Sequence, residues 1–216
     1  MTSSASSPRA ILLDLDGTLA DSLSVMRVAY RLVLEKFQAV PTDAEFDSLN
    51  GPPLAEVVRR LKLSHALECN EEVLFDTYTD VIDQAYTAVA PCPGAIELLQ
   101  KARVNGCVVG VVTSSSSKRT YSWIQTIGIT HMIDFVVAGD EVEYGKPHAE
   151  PYLIATGKTS CPSDKIIAVE DSPQGALSAI HAGLKTFILI REGSNDRCPK
   201  DAVPIRSLTE LAQQLW

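Results

Sequence analysis

Two aspartates stand two residues apart in Asp14-Leu15-Asp16-Gly17-Thr18, directly after the apolar run Ala10-Ile11-Leu12-Leu13. Comparable chemistry recurs at Thr113-Ser114, which follows Cys107 to Val112, at Lys146, and at Glu170-Asp171, which follows Ile166 to Val169. Each apolar run reads as a strand, and its polar group sits where that strand ends. In an open α/β sheet, chemistry collects beyond the carboxyl ends of the strands. Adjacent parallel strands would therefore bring Asp14, Asp16, Glu170 and Asp171 to one edge, with Lys146 and two hydroxyls.

Such a cluster is unfavourable when empty. Two like charges roughly 4 Å apart cost about 4 kcal/mol at an effective dielectric near 20. A hard dication with oxygen ligands relieves this, and Mg²⁺ suits a site of few protein ligands and several waters. The dication and Lys146 would hold a phosphoryl group, to which Thr113 and Ser114 add hydroxyl and backbone donors. Asp14 can then attack phosphorus, and Asp16 can protonate a leaving oxygen and later deprotonate water. Each piece alone has an ordinary explanation: Asp-x-Asp loops make turns, and Glu170-Asp171 before Ser172-Pro173 suits a helix N-terminus. The joint order at successive strand ends is what sets them apart.

The elements that must position these groups alternate. Apolar runs at Cys107 to Val112, Phe135 to Ala138, Ile166 to Val169 and Phe187 to Ile190 follow the first, with a weaker one at Ala202 to Ile205. Helical patterns separate them. Gly94 to Arg103 is one, with Pro93 before it and Asn105-Gly106 as its stop; another opens at Ser172-Pro173 and ends at Gly183. This predicts an α/β fold with a doubly wound parallel sheet of five or six strands. From about Ser22 to Ala90 the apolar spacing is helical only, which predicts a small helical bundle inserted after the first strand. The expected organisation is a disordered tail at 1–8, an α/β core at 9–21 and 91–216, and a helical cap at 22–90.

Composition narrows the function. The chain has 216 residues, 45% of them hydrophobic, and a formal net charge of −8. A strongly acidic surface repels a phosphate backbone, so nucleic-acid binding through a basic face is not expected. No apolar run reaches the ~20 residues that span a bilayer, and the Ser-rich start lacks a signal peptide's apolar core. Five scattered cysteines with no C-x-x-C pair read as free thiols in a reducing cytoplasm. P-loop and dinucleotide fingerprints are both absent.

At its acidic motifs the sequence resembles the haloacid dehalogenase superfamily of phosphotransferases, over nearly the whole chain from Arg9. Asp14-Leu15-Asp16-Gly17-Thr18-Leu19 is similar to the first motif of that family and Thr113 with Ser114 to the second. Lys146 in Gly145-Lys146-Pro147 is similar to the third, and Glu170-Asp171-Ser172-Pro173 with Gly175 to the fourth. The helical insert resembles the small cap of one subfamily. This resemblance implies Asp14 as nucleophile and Asp16 as general acid and base. It implies Mg²⁺ held by the Asp14 carboxylate, the Asp16 backbone carbonyl and Asp171, with Thr113 and Lys146 on the phosphoryl group. Glu170 would act from behind the ligands or through a water. Where relatives often read Lys-Pro-x-Pro-Asp, this chain reads Lys146-Pro147-His148-Ala149-Glu150.

Dehalogenating relatives lack the second aspartate, so Asp16 argues for phosphate chemistry. The sugar-phosphate mutase branch carries a cap histidine twelve residues after the nucleophile, where this chain has Met26. The expected activity is therefore Mg²⁺-dependent hydrolysis of a small phosphorylated metabolite. Phosphoglycolate is the first candidate, on the likeness of Asn50-Gly51-Pro52-Pro53-Leu54 to the cap loop of the phosphoglycolate phosphatase branch. Arg59 or Arg60 could meet a substrate anion, although solvated surface arginines are the plainer reading. The rivals are a β-phosphoglucomutase-like mutase, a pyrophosphatase, and a receiver-like phospho-acceptor domain. The four histidines have no ligand spacing, and only His148, near Lys146, invites attention.

Overall fold

A computed structural model describes residues 7–49, 51–190 and 198–216. Six parallel strands form one sheet in the order β3-β2-β1-β4-β5-β6. They are β1 (Ala10–Leu13), β2 (Val108–Val112), β3 (Phe135–Val137), β4 (Ile166–Glu170), β5 (Lys185–Leu189) and β6 (Val203–Ile205). β1 lies between β2 and β4, with Leu13 level with Val111 on one side and Val169 on the other. Residues just past Leu13, Val112 and Glu170 therefore meet at one edge.

The strands are apolar throughout because both sheet faces are covered. Ile11 and Leu13 point into a core shared with Leu98 and Leu99 of α5 (Ala95–Val104), Trp123 and Ile124 of α6 (Ser117–Ile127), and Leu211 of α9 (Leu208–Leu215). Ala10 and Leu12 point to the other face, where Tyr152 and Ala155 of α7 (Glu150–Thr159) and Ala179 of α8 (Pro173–His181) pack. Successive side chains of β1 thus alternate between two hydrophobic layers, as the pleat requires. α8 starts where expected. Ser172 is its N-cap, accepting from the Gly175 amide at 3.1 Å, and Pro173 occupies the first helical position, where no N–H is needed.

Four helices fall between β1 and α5: α1 (Leu23–Lys36), α2 (Asp43–Ser48), α3 (Leu54–Ser64) and α4 (Glu71–Tyr86). α4 packs against both α1 and α3. Leu74, Tyr78 and Ile82 supply its inner face at helical spacing. The two segments that join this insert to the sheet pair with each other. Ala20 bridges Pro91 in antiparallel fashion, the Asp21 amide donates to the Ala90 carbonyl, and the Cys92 amide donates to the Leu19 carbonyl at 2.8 Å.

Of the expected tail, residues 1–6 lie outside the described residues. Pro8 is already buried, and its carbonyl accepts from the Cys107 thiol at 3.0 Å, so the packed chain includes the residue before Arg9. No helix among the described residues is long and apolar enough to cross a membrane.

Candidate active site

The loop after β1 is fixed by its own backbone. The Leu15 carbonyl accepts from the amides of Thr18, Leu19 and Ala20, while the Leu15 and Leu19 side chains are fully buried. Gly17 adopts φ +88°, a conformation that disfavours a side chain, and a Cβ there would run into the Asp171 carboxylate. The glycine of the acidic motif thus lets the loop pass close against Asp171.

Asp14, at the end of β1, is 5% exposed and Lys146 is 4% exposed. Lys146 Nζ donates to Asp14 Oδ1 at 2.6 Å, to Glu170 Oε1 at 2.5 Å and to the Val112 carbonyl at 2.9 Å. The fully buried Glu170 also accepts from Tyr152 Oη at 2.7 Å. Burial works against the Lys146 ammonium, but Asp14 and Glu170 outweigh it and hold its pKa above the usual lysine range. Burial pushes the Asp14 carboxyl well above its ordinary value. Lys146 opposes that shift, while Glu170, Asp171 and Asp16 add to it. One ammonium among four carboxylates leaves the site short of positive charge.

That shortfall is local. Asp14 Oδ2 is buried with no hydrogen-bond partner. Asp14, Glu170 and Asp171 each place a carboxylate oxygen within 4.8 Å of the others. An orphaned buried oxygen in an all-oxygen, net-negative donor set fits a hard dication such as Mg²⁺. Glu170, expected behind the ligands, joins this group, whereas the Asp16 side chain does not.

Asp16 is held by three hydroxyls. Ser22 Oγ and Tyr86 Oη both donate to Oδ1, and Ser115 Oγ donates to Oδ2, each at 2.7 Å. These donors come from the start of α1, the end of α4 and the loop after β2. Ser22 occupies the N-cap position of α1 without capping it, because its hydroxyl serves Asp16 instead. Burial, then the Asp16 charge, pushes the Tyr86 phenol above its usual range, so it remains a donor.

Thr113 is buried, and its Oγ1 accepts from the Ser115 amide at 3.0 Å. Ser114 Oγ donates to the Gly51 carbonyl at 2.8 Å, which ties the loop after β2 to the loop before α3. Together with Asp14, Asp16, Lys146 and Asp171, Thr113 and Ser114 line a single cleft of about 750 Å³, open solvent space included. The structure therefore gathers the seven residues of the acidic, hydroxyl and lysine motifs: six line the cleft, and Glu170 stands directly behind on Lys146. Sequence reasoning did not single out Tyr86, Ser115, Tyr152 or Arg119. Only Ser115, inside the run Thr113 to Ser117, carried any local signal.

Of the remaining candidates, Arg59, Arg60 and His148 take their plainer surface reading, and the loop before α3 reaches the cleft. Arg59 and Arg60 are absent from the cleft lining and both pair with Glu56 at 2.8 and 2.7 Å. His148 is exposed, with its Nδ1 accepting from the Glu150 amide. In the expected cap loop, Gly51, Pro52 and Leu54 line the cleft, while Asn50 lies outside the described residues.

Comparison with known proteins gives related sequences and a shared fold. Residues 11–189 match the haloacid dehalogenase-like hydrolase family. A phosphoglycolate phosphatase of Rhodobacter capsulatus is 30% identical, covering 90% of this chain and 89% of its own. A validoxylamine A 7'-phosphate phosphatase of Streptomyces hygroscopicus subsp. limoneus is 27% identical, covering 94% and 95%. In fold, a CbbY variant from Rhodobacter sphaeroides in complex with xylulose-(1,5)bisphosphate superposes with a TM-score of 0.84. It is 23% identical and covers 94% of this chain and 96% of its own.

Proposed function

The chain belongs to the haloacid dehalogenase-like hydrolases, acting on phosphate monoesters, and we propose that it does so as a Mg²⁺-dependent phosphatase with Asp14 as nucleophile. The observation that carries this reading is Asp14 itself: buried at a strand end, one oxygen on Lys146, the other without a partner, and three more carboxylates around it.

Mg²⁺ would be held by Asp14, Asp171 and the Asp16 backbone carbonyl, with Glu170 adjoining, and would screen the charge of an incoming phosphate. Lys146 anchors Glu170 and Asp14 and faces the phosphoryl oxygens, with Thr113 and Ser114 supplying hydroxyl and amide donors beside it. A carboxylate oxygen of Asp14 bonds to phosphorus as the ester P–O bond breaks. Asp16 gives its proton to the departing alkoxide, leaving an aspartyl-phosphate. The Asp16 carboxylate then takes a proton from water. That water attacks phosphorus, the P–O bond to Asp14 breaks, and inorganic phosphate leaves.

Residues 22–90 act as the cap in this reading, turning about the paired crossings at 20–21 and 90–92 to exclude water during the first step. Met26 lines the cleft with a thioether that cannot carry a proton, which favours hydrolysis over a mutase. Phosphate release from p-nitrophenyl phosphate tests the proposal. Release should require Mg²⁺ and vanish in Asp14→Asn while the fold persists. Full activity in that variant would remove the nucleophile assignment.

A further inference from the structure

The floor of the cleft is ionic, but its cap wall is not. Leu23, Met26, Phe46, Leu54, Val57 and Ile82 line it from α1, α2, α3 and α4. Among the described cap residues in the lining, only Tyr78 carries a side-chain oxygen or nitrogen. The cations that a second substrate anion would need are engaged elsewhere. Arg27 pairs with Asp43 and Asp47, and Arg59 and Arg60 with Glu56. The cleft's cations are Lys146, held by Asp14 and Glu170, and Arg119, held by Asp83 at 2.7 Å.

These walls have opposite preferences. A carboxylate or a row of hydroxyls pressed against the cap would lose water without gaining partners, at a cost of kcal/mol per group. A hydrocarbon there gains from leaving water. With the phosphoryl group fixed at Asp14 and Lys146, the alcohol part of the ester is what meets the cap. We infer that the cleft selects phosphomonoesters whose alcohol part is hydrocarbon, aliphatic or aromatic, over phosphoglycolate or polyol phosphates. This deepens the phosphatase reading above and rests on it.

The test is a kcat/KM series with Mg²⁺ over ethyl, butyl and hexyl phosphate, beside phosphoglycolate and glycerol phosphate. The alkyl leaving groups are nearly equal in basicity, so the slope reports the wall. Each fully buried methylene is worth about fourfold, and a rise of roughly tenfold or more from ethyl to hexyl is expected even with partial burial. Hexyl phosphate should also exceed phosphoglycolate and glycerol phosphate. Met26→Gln should cut the hexyl advantage while Met26→Leu retains it, which separates the wall from general damage. Hydrolysis of all esters with a flat series, or with phosphoglycolate ahead, overturns the inference and leaves the phosphatase reading standing. No phosphate from any ester, p-nitrophenyl phosphate included, brings down the phosphatase reading and the inference with it.

Discussion

Replacing Lys146 with methionine removes one positive charge from between two buried carboxylates and keeps most of the side-chain volume. The wild-type ammonium makes contacts of 2.6 Å to Asp14, 2.5 Å to Glu170 and 2.9 Å to the Val112 carbonyl, and its side chain is 2% exposed. Removing one partner from a buried ion pair costs about 3–5 kcal/mol, because the other charge stays buried without compensation. Here two carboxylates are left, but one can take up a proton, which keeps the cost within that range. In a chain of this size each kcal/mol lowers Tm by about 2–4 °C, so a fall of roughly 6–20 °C is expected. Thermal unfolding followed by circular dichroism, without divalent metal, reads it directly. The double variant Lys146→Met/Glu170→Gln should recover at least about 1 kcal/mol, since glutamine removes one of the stranded charges. A fall below about 2 °C, or a double variant no better than the single, would refute the reasoning.

Tyr86→Phe removes the 2.7 Å hydrogen bond to Asp16 Oδ1. Bonds to charged groups contribute about 1.5–3 kcal/mol, so kcat should fall roughly tenfold to a hundredfold. The pH–rate profile should move, and Tm should fall by roughly 3–12 °C; an unmoved profile would count against Asp16 as acid and base. Gly17→Ala places a methyl at φ +88° against the Asp171 carboxylate. It should raise the Mg²⁺ concentration needed for half-maximal activity, and unchanged metal dependence would contradict the close approach. Glu45 offers a pH test within the helical insert. Burial would raise its pKa, but Tyr30 Oη, His65 and Ser64 outweigh burial and hold it below the ordinary 4.5. A depressed folded-state pKa stabilises above the unfolded value and is lost as pH falls through the folded one. Stability should therefore drop with acid below about pH 4.5, and Glu45→Gln should flatten that slope. An equal slope in the variant would place the acid sensitivity elsewhere.

Much of the sheet edge was legible because each strand is a short apolar run that ends on a charged or hydroxyl residue. β1, β2 and β4 end at Asp14, Thr113 and Glu170 or just before them, so strand order alone brings the chemistry together. Boundaries were less visible at β5. It begins at Lys185 and Thr186, where the exposed lysine breaks the apolar pattern but the backbone still pairs with β4. The restraints on Asp16 were not legible. Tyr86 lies 70 residues away and Ser115 lies 99 away. Helical spacing tells which face Tyr86 is on, not which carboxylate its hydroxyl meets. Ser22 stood out only as the approximate first residue of the helical stretch, and only the fold shows its hydroxyl on Asp16. Arg59 and Arg60 were open as anion binders only because their charge is visible in sequence, with a solvated surface the plainer reading. Their neutralisation by Glu56, one helical turn earlier, depends on rotamers that sequence does not specify.

The covalent step is open to direct measurement. A phosphomonoester radiolabelled in its phosphoryl group, mixed with enzyme and Mg²⁺ and quenched in acid within one turnover, should leave label on protein. Peptide mapping should place that label on the fragment containing Asp14, and hydroxylamine should release it. Phosphate production at full rate with no protein-bound label at any quench time, or label confined to another residue, would contradict attack by Asp14.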